Sequence, residues 1–194
     1  MKNLLAQLRI ALTATIVLAV AVCGIYPAIV WVLAQAIFPA EANGSLIVRS
    51  GKVAGSSLIG QGFVGAKYFH SRPSAAGSGY DATGSGGSNL GPTSQKLVYA
   101  VKQRVLDYRA ENGLAPDVRV PADAVTSSAS GLDPHISVKN AHLQAHRVAK
   151  ARELSDKTVL REIANYTEGR DLGVFGEPRV NILKLNMALD GILR

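Results

Sequence analysis

No acidic residue occurs before Glu41, and no charged residue of either sign lies between Ile10 and Ala40. The first forty residues therefore lack the surface chemistry of a water-soluble domain. The chain has one cysteine, Cys23, inside that uncharged stretch. This excludes an internal disulfide and a cysteine-built metal site. Aromatic residues make up 6% of the chain, and they are not interleaved with runs of Lys and Arg. A nucleic-acid partner is not expected from that pattern, despite the formal charge of +7. No second apolar run is long enough to cross a bilayer, which excludes a multi-span transporter acting alone.

What is present is a membrane segment joined to a soluble domain. Ile10 to Phe38 is a run of 29 uncharged residues, about 43 Å long as a helix. A hydrocarbon core of ~30 Å needs fewer, so the helix is expected to tilt or to project. Pro27 permits a kink because it lacks a backbone donor. Tyr26 and Trp31 are residues of the interfacial kind. A cleaved signal peptide has an apolar core roughly half this length, although Ala40-Glu41-Ala42 offers small residues for cleavage. Val22 before Cys23 does not suit a lipoprotein signal. Lys2 and Arg9 precede the run, and the first positive charges after it are Arg49 and Lys52. That bias predicts residues 1–9 in the cytoplasm, a transmembrane helix over 10–38, and an extracytoplasmic (periplasmic) domain over 39–194 of a bacterial inner membrane protein.

The soluble part reads as one α+β domain of roughly 150 residues, large enough to rely on its core without disulfides. Residues 44–70 are strand-like, at 46–48, 60–64 and 68–69. Residues 71–93, with six glycines, form a long polar loop. Ser94 or Thr93 caps a helix carrying Leu97, Val98, Val101, Val105 and Tyr108 at helical spacing, and Asn112-Gly113 ends it. Pro116 to Pro121 is extended, and 122–137 is a second polar loop. Ser137 caps a helix with Ala141, Ala145, Val148 and Ala149 on one face. A third helix begins at Ser155 and buries Val159, Leu160 and Ile163. Residues 180–193 read as helix through Leu183, Met187 and Ile192, with Val180 and Ile182 leaving strand open.

The motifs of common catalysts are missing. No G-x-S-x-G occurs. Ser128, Asp133 and His135 have the residue types of a triad, but lie in one loop without a scaffold to converge them. His142 and His146 have two-ligand spacing without H-E-x-x-H, and no metal site is expected. Gly77-Ser78-Gly79-Tyr80-Asp81-Ala82 fits a dinucleotide pattern but does not follow a buried strand. Ser85, Gly86, Gly87, Ser88 and Asn89 could form an anion-binding nest of backbone N–H groups. Asp156-Lys157-Thr158 lacks the continuation of a P-type ATPase phosphorylation motif.

Six segments carry a more specific signal: 55–61 (GSSLIGQ), 68–75 (YFHSRPSA), 85–90 (SGGSNL), 125–137 (VTSSASGLDPHIS), 144–152 (QAHRVAKAR) and 173–190 (GVFGEPRVNILKLNMALD). In this order, after one N-terminal span, they resemble the C subunit of the bacterial Kdp-type potassium-transporting P-type ATPase across essentially the whole chain. The resemblance implies a non-catalytic accessory subunit of a high-affinity potassium uptake complex. The implied partners are a channel-like potassium-binding subunit, the ATPase subunit, a small single-span peptide and membrane lipid. Potassium ion and ATP are used by the complex, and no cofactor is assigned to this chain. The implied roles are assembly, stabilisation and support of ATP binding by the ATPase subunit. An extracytoplasmic domain would instead cap the channel-like subunit from outside, with any nucleotide contact falling on Ser85–Asn89. The contact candidates are loops 71–93 and 125–137 with Arg72, Tyr80, Asn89, Asp133 and His135, and the small-residue helix positions Ala14, Ala21 and Gly24. The alternatives are a membrane-anchored extracytoplasmic enzyme and a basic domain that binds anionic lipid.

Overall fold

The computed structural model describes residues 2–49 and 51–191. The chain divides into two compact units, Met1–Leu46 and Ile47–Arg194. In the first, α1 (Lys2–Ala19), a π-helical segment (Val20–Ile25) and α2 (Tyr26–Ile37) follow one another without a break. The candidate membrane span covers Asn3–Ile37, 35 residues, and none of its most apolar window is buried within the chain. The helix thus begins earlier than the uncharged run, because Leu4, Leu5 and Leu8 extend its apolar surface. At the end of the π segment the Tyr26 N–H bonds back five residues to the Ala21 carbonyl. Pro27 follows directly. Its ring crowds the carbonyl four residues back and it offers no N–H, and a widened turn absorbs both defects. Helix α3 (Pro39–Ala42) ends the unit.

A two-stranded sheet of β1 (Leu46–Arg49) and β2 (Lys52–Ser56) begins at the last residue of the first unit and leads the second. The helices of the second unit are α4 (Gln95–Asn112), α5 (Ala122–Val125), α6 (Val138–Ala151), α7 (Asp156–Asn165) and α8 (Ile182–Leu189). Strands β3 (His135–Ser137), β4 (Thr167–Glu168) and β5 (Arg179–Asn181) form an antiparallel sheet in the order β3-β5-β4. Ile136 pairs with Val180 on the buried face of this sheet. Residues 180–193 thus divide: a strand gives way to α8, whose cap is Asn181, and Ile192 lies outside the described residues. Ser94, Ser137 and Ser155 each accept a bond from the first turn of α4, α6 and α7, as the sequence indicates. Gly113, at φ +64°, stops α4 in the left-handed conformation.

The core gathers Ala141, Ala145, Val148 and Ala149 of α6, Val159 and Ile163 of α7, Val180, and Ile182 and Leu185 of α8 around Phe69. Leu160 is exposed, one position off the buried stripe of α7. Helix α4 buries only Tyr108 and Asn112, while Val98 and Leu106 face solvent. Among the helices it packs chiefly on α5 and α6, and its apolar stripe is wider than the surface that covers it.

The strand-like reading of residues 60–64 and 68–69 is not borne out; both stretches are irregular. For Phe69 and His70 the reason is that side chains supply the ladder. The Asn186 amide accepts from the Phe69 N–H (2.8 Å) and donates to the Phe69 carbonyl (2.9 Å). The Gln144 amide does the same for His70, at 2.7 and 3.0 Å. Arg147 donates to the Ala66 and Tyr68 carbonyls (2.8 and 2.9 Å), to Asn112 (3.0 Å) and to Gln144 (2.9 Å). Tyr108 donates to the Asn140 amide oxygen at 2.7 Å, and the Asn140 amide nitrogen donates to Asp123 at 2.9 Å. Burial pushes the Tyr108 hydroxyl pKa well up and the Arg147 guanidinium pKa down.

Replacing Asn186, which is fully buried, by Leu strands one buried N–H and one carbonyl. At ~1–3 kcal/mol for each unsatisfied group, Asn186→Leu is expected to lower stability by about 3 kcal/mol and Tm by roughly 6–12 °C. Thermal unfolding of the full chain in detergent, followed by near-UV circular dichroism, measures it. A drop of less than about 2 °C would mean that the Phe69 backbone does not depend on this amide.

Candidate functional site

The two polar loops read from the sequence run against each other. The Gly86 N–H and the Ser85 hydroxyl both donate to the Ser130 carbonyl, at 2.9 and 3.0 Å. Ser74 donates to the Gly131 carbonyl at 2.7 Å, and the Gly60 N–H donates to the Leu132 carbonyl at 2.7 Å. Gly131 has φ +69°, and a Cβ there would sit 2.6 Å from the Ala76 nitrogen and 2.8 Å from the Gly86 oxygen. The loops close this tightly because that position has no side chain.

Four of the expected contact residues come together at this seam. Arg72 meets Asp133 at 3.0 Å and reaches toward the Thr126 and Ser127 carbonyls at 3.5 and 3.4 Å. The Tyr80 hydroxyl donates to the Arg72 carbonyl. Asp133 accepts from the His135 N–H at 2.9 Å, and its carboxylate lies 3.6 Å from His135 Nδ1. Asn89 stands apart on the exposed part of its loop, at φ +51°. In the nest candidate, Ser85 and Gly86 are tied to Ser130, Gly87 lies close against Ala129, and Ser88 and Asn89 are exposed. Ala14 lies in α1, and Ala21 and Gly24 lie in the π segment, all exposed.

The cluster continues through residues that the sequence did not single out. His135 Nε2 lies 3.2 Å from Glu168, which pairs with Arg179 (3.3 Å) and Lys184 (3.0 Å). Arg179 also pairs with Asp171 at 3.3 Å. A continuous series of polar contacts thus runs from Arg72 through Asp133, His135 and Glu168 to Lys184 across the polar face of the small sheet. The available signal was the alternation of His135-Ile136-Ser137 and Arg179-Val180-Asn181, which puts the polar members on one face. An open groove of about 460 Å³ runs along this face, lined by Arg72, Asp123, Asp133, His135, Glu177 and Arg179. The Arg72 Nε is buried and has no partner among the described residues.

This arrangement positions side chains but does not assemble a catalyst. Both ring nitrogens of His135 face carboxylates, and Asp133 is committed to Arg72, so no Ser–His–Asp relay forms through Ser128. His146 pairs with Asp156 at 3.1 Å rather than with His142. Among the described residues no three His, Cys, Asp or Glu side chains could share a metal ion.

Burial alone would raise the Asp133 pKa, but hydrogen bonds from His135 and Arg72 outweigh it and hold the carboxyl below its ordinary value. Glu168 behaves likewise: burial raises it, and Lys184, His135 and Arg179 pull it lower. A carboxylate with a depressed folded pKa contributes stability that is complete above its unfolded pKa, about 4. That stability is lost as pH falls through the lower folded value. Unfolding midpoints of the chain are therefore expected to fall below pH ~4. Asp133→Asn should be destabilised at neutral pH and show a shallower acid limb. Parallel acid limbs for the two proteins would remove Asp133 from the linkage.

With this geometry in view, the relatives are informative. Residues 8–191 match the family described as KdpC, K+-transporting ATPase, c chain. A protein of Mycobacterium tuberculosis is 55% identical over 184 residues, covering 95% of this chain and 97% of its own. One of Nitratidesulfovibrio vulgaris is 53% identical over 192 residues, covering 97% and 96%. One of Koribacter versatilis is 48% identical over 190 residues, covering 98% and 95%. Each is named potassium-transporting ATPase KdpC subunit. The chain belongs to the KdpC family, the c chain of potassium-transporting ATPases, and is a component of that complex rather than its catalytic subunit.

Proposed function

We propose that this subunit spans the bacterial inner membrane once, over residues 10–38, and caps the channel-like potassium-binding subunit from outside with residues 39–194. The observation that carries the reading is the charge asymmetry around the helix. Lys2 and Arg9 lie before its uncharged run, and no positive charge follows until Arg49. Positive flanks stay cytoplasmic. The domain then lies on the far side of the membrane from ATP. Its support of ATP binding by the ATPase subunit is therefore indirect, passing through the membrane subunits.

Loops 71–93 and 125–137 form the contact platform. Their mutual hydrogen bonds hold Arg72, Tyr80, Asp133 and His135 in fixed places, so little freedom is lost when a partner docks. Asn89 adds an exposed polar group on loop 71–93, apart from that cluster. Ala14, Ala21 and Gly24 let the span approach neighbouring helices closely, among them the small single-span peptide. A direct nucleotide contact at Ser85–Asn89 becomes the leading mechanism only if the domain lies in the cytoplasm.

Spheroplasts carrying a C-terminally tagged chain, treated with external protease, test the orientation. Loss of the tag with a cytoplasmic marker intact is expected. Protection of the tag until lysis would place the domain inside and overturn the capping reading.

A further inference from the structure

Between β4 and β5 the chain makes a closed turn. Asp171 and Phe175 bridge one another, each N–H donating to the other's carbonyl at 2.9 Å. The Gly173 and Val174 N–H groups donate inward to the Arg170 and Asp171 carbonyls, at 3.1 and 3.2 Å. Beneath the turn Arg170 pairs with Glu177 at 2.8 Å, and Arg179 pairs with Asp171 and Glu168 at 3.3 Å. The backbone is therefore tied within itself and its collar of charges is already paired.

The apex is apolar and uncovered. Leu172 is 89% exposed, Val174 69% and Phe175 65%. Leu172 is the most exposed large apolar side chain among the described residues, and it holds φ at +52°. That conformation suits Gly or Asn and disfavours a bulky side chain. Water gives no return for placing Leu, Val and Phe together on a strained, rigid projection.

We propose that residues 172–175 are a preformed knob that docks into an apolar cavity on another protein subunit of the same membrane complex. The inference rests on membership in that multi-subunit complex and not on the side of the membrane. Charge decides against a lipid occupant. The collar of Glu168, Arg170, Asp171, Glu177 and Arg179, with Lys184 on Glu168, sets three acids against three bases, and these are engaged with one another. It offers no attraction to anionic headgroups, and the apex has no Lys, Arg, Trp or Tyr of the interfacial kind. A symmetric pair of copies would set two convex tips against each other, with no cavity for either to fill. A rigid apolar projection instead meets the requirements of an interface anchor: large apolar contact, filled into a preformed pocket, with little entropy left to lose.

The test uses the intact complex, purified with benzoylphenylalanine placed at 172 or, as a control, at the exposed position 161 on α7. Irradiation is expected to join position 172 to one other protein subunit, with far less product from 161. Products with lipid alone, with a second copy of this chain, or equal products from both positions would each overturn the proposal. A second arm uses the double variant Leu172→Asn, Phe175→Thr. Asn accepts the left-handed backbone, so the melting temperature should hold or rise. Retention of the chain in the complex through stringent detergent washing should fall roughly tenfold or more. Unchanged retention would overturn the proposal. A protected tag in the spheroplast assay would overturn the capping reading and leave this one standing.

Discussion

The domain is organised around a stretch of irregular backbone that side chains hold as if it were a strand. Asn186 and Gln144 each present an amide to one residue, Phe69 and His70, and satisfy both its donor and its acceptor. A neighbouring strand would do the same work. The difference is that α8 and α6 can now pack directly on the segment from two directions. Phe69 can enter the core only because its backbone polar groups are satisfied there; an unpaired buried amide costs about as much as a buried methyl or two contribute. Arg147 extends the arrangement by donating to the carbonyls of Ala66 and Tyr68 and to the Gln144 oxygen. The helices, the irregular segment and the loop that follows are thereby one cooperative structure.

The loop platform depends on that anchorage. Residues 71–93 leave the clamp at His70 and have no ladder of their own. Their order comes from hydrogen bonds to Ser130 and Gly131 and from the Arg72–Asp133 pair. Both partners of that pair are partly buried, so water screens them less than a surface pair. Glu168 sits where three cationic or titratable groups converge, and its strand lies beside Arg179 in the sheet register. Loop seam and sheet edge are therefore parts of one electrostatic arrangement. A change at Lys184 on α8 is connected to Arg72 through Glu168, His135 and Asp133.

Local signals in the sequence located what local physics controls. Ser94, Ser137 and Ser155 begin helices, Gly113 ends one, and Ala141, Ala145, Val148 and Ala149 line a buried face. Residues 71–93, rich in glycine, are irregular, whereas the polar stretch 122–137, read as a loop, opens with α5 and closes with β3 because tertiary partners outside it order both ends. The misreadings arose where long-range partners decide. Residues 68–69 have a strand's apolar character, but amides more than seventy positions away replace the strand. Leu160 and the stripe of α4 follow helical spacing, yet the fold covers less of them than the pattern suggests. The charged cluster was legible in half. Arg72, Tyr80, Asp133 and His135 converge, but Glu168, Arg179 and Lys184 are separated from them in sequence and carry no motif that announces the pairing. Residue types alone also do not reveal that the His135 ring nitrogens face Asp133 and Glu168.

The same long-range control explains the distribution of polarity. Asn140, Gln144, Asn181 and Asn186 lie inside, with Arg147 nearly so. Leu172, Val174 and Phe175 lie outside, as do Val98, Tyr99 and Leu106 on α4. For an isolated soluble domain this inversion would be poor economy, since buried amides gain little net free energy and exposed apolar groups gain none. For a subunit it is consistent. Fully satisfied amides define one arrangement of the interior, because each has a single partner geometry, whereas apolar contacts tolerate many. The apolar area that the domain does not need for its own folding then remains for association, where burial drives binding. A chain that folds on directional bonds can keep its apolar groups facing outward without collapsing onto them, and a component of a larger complex requires that separation.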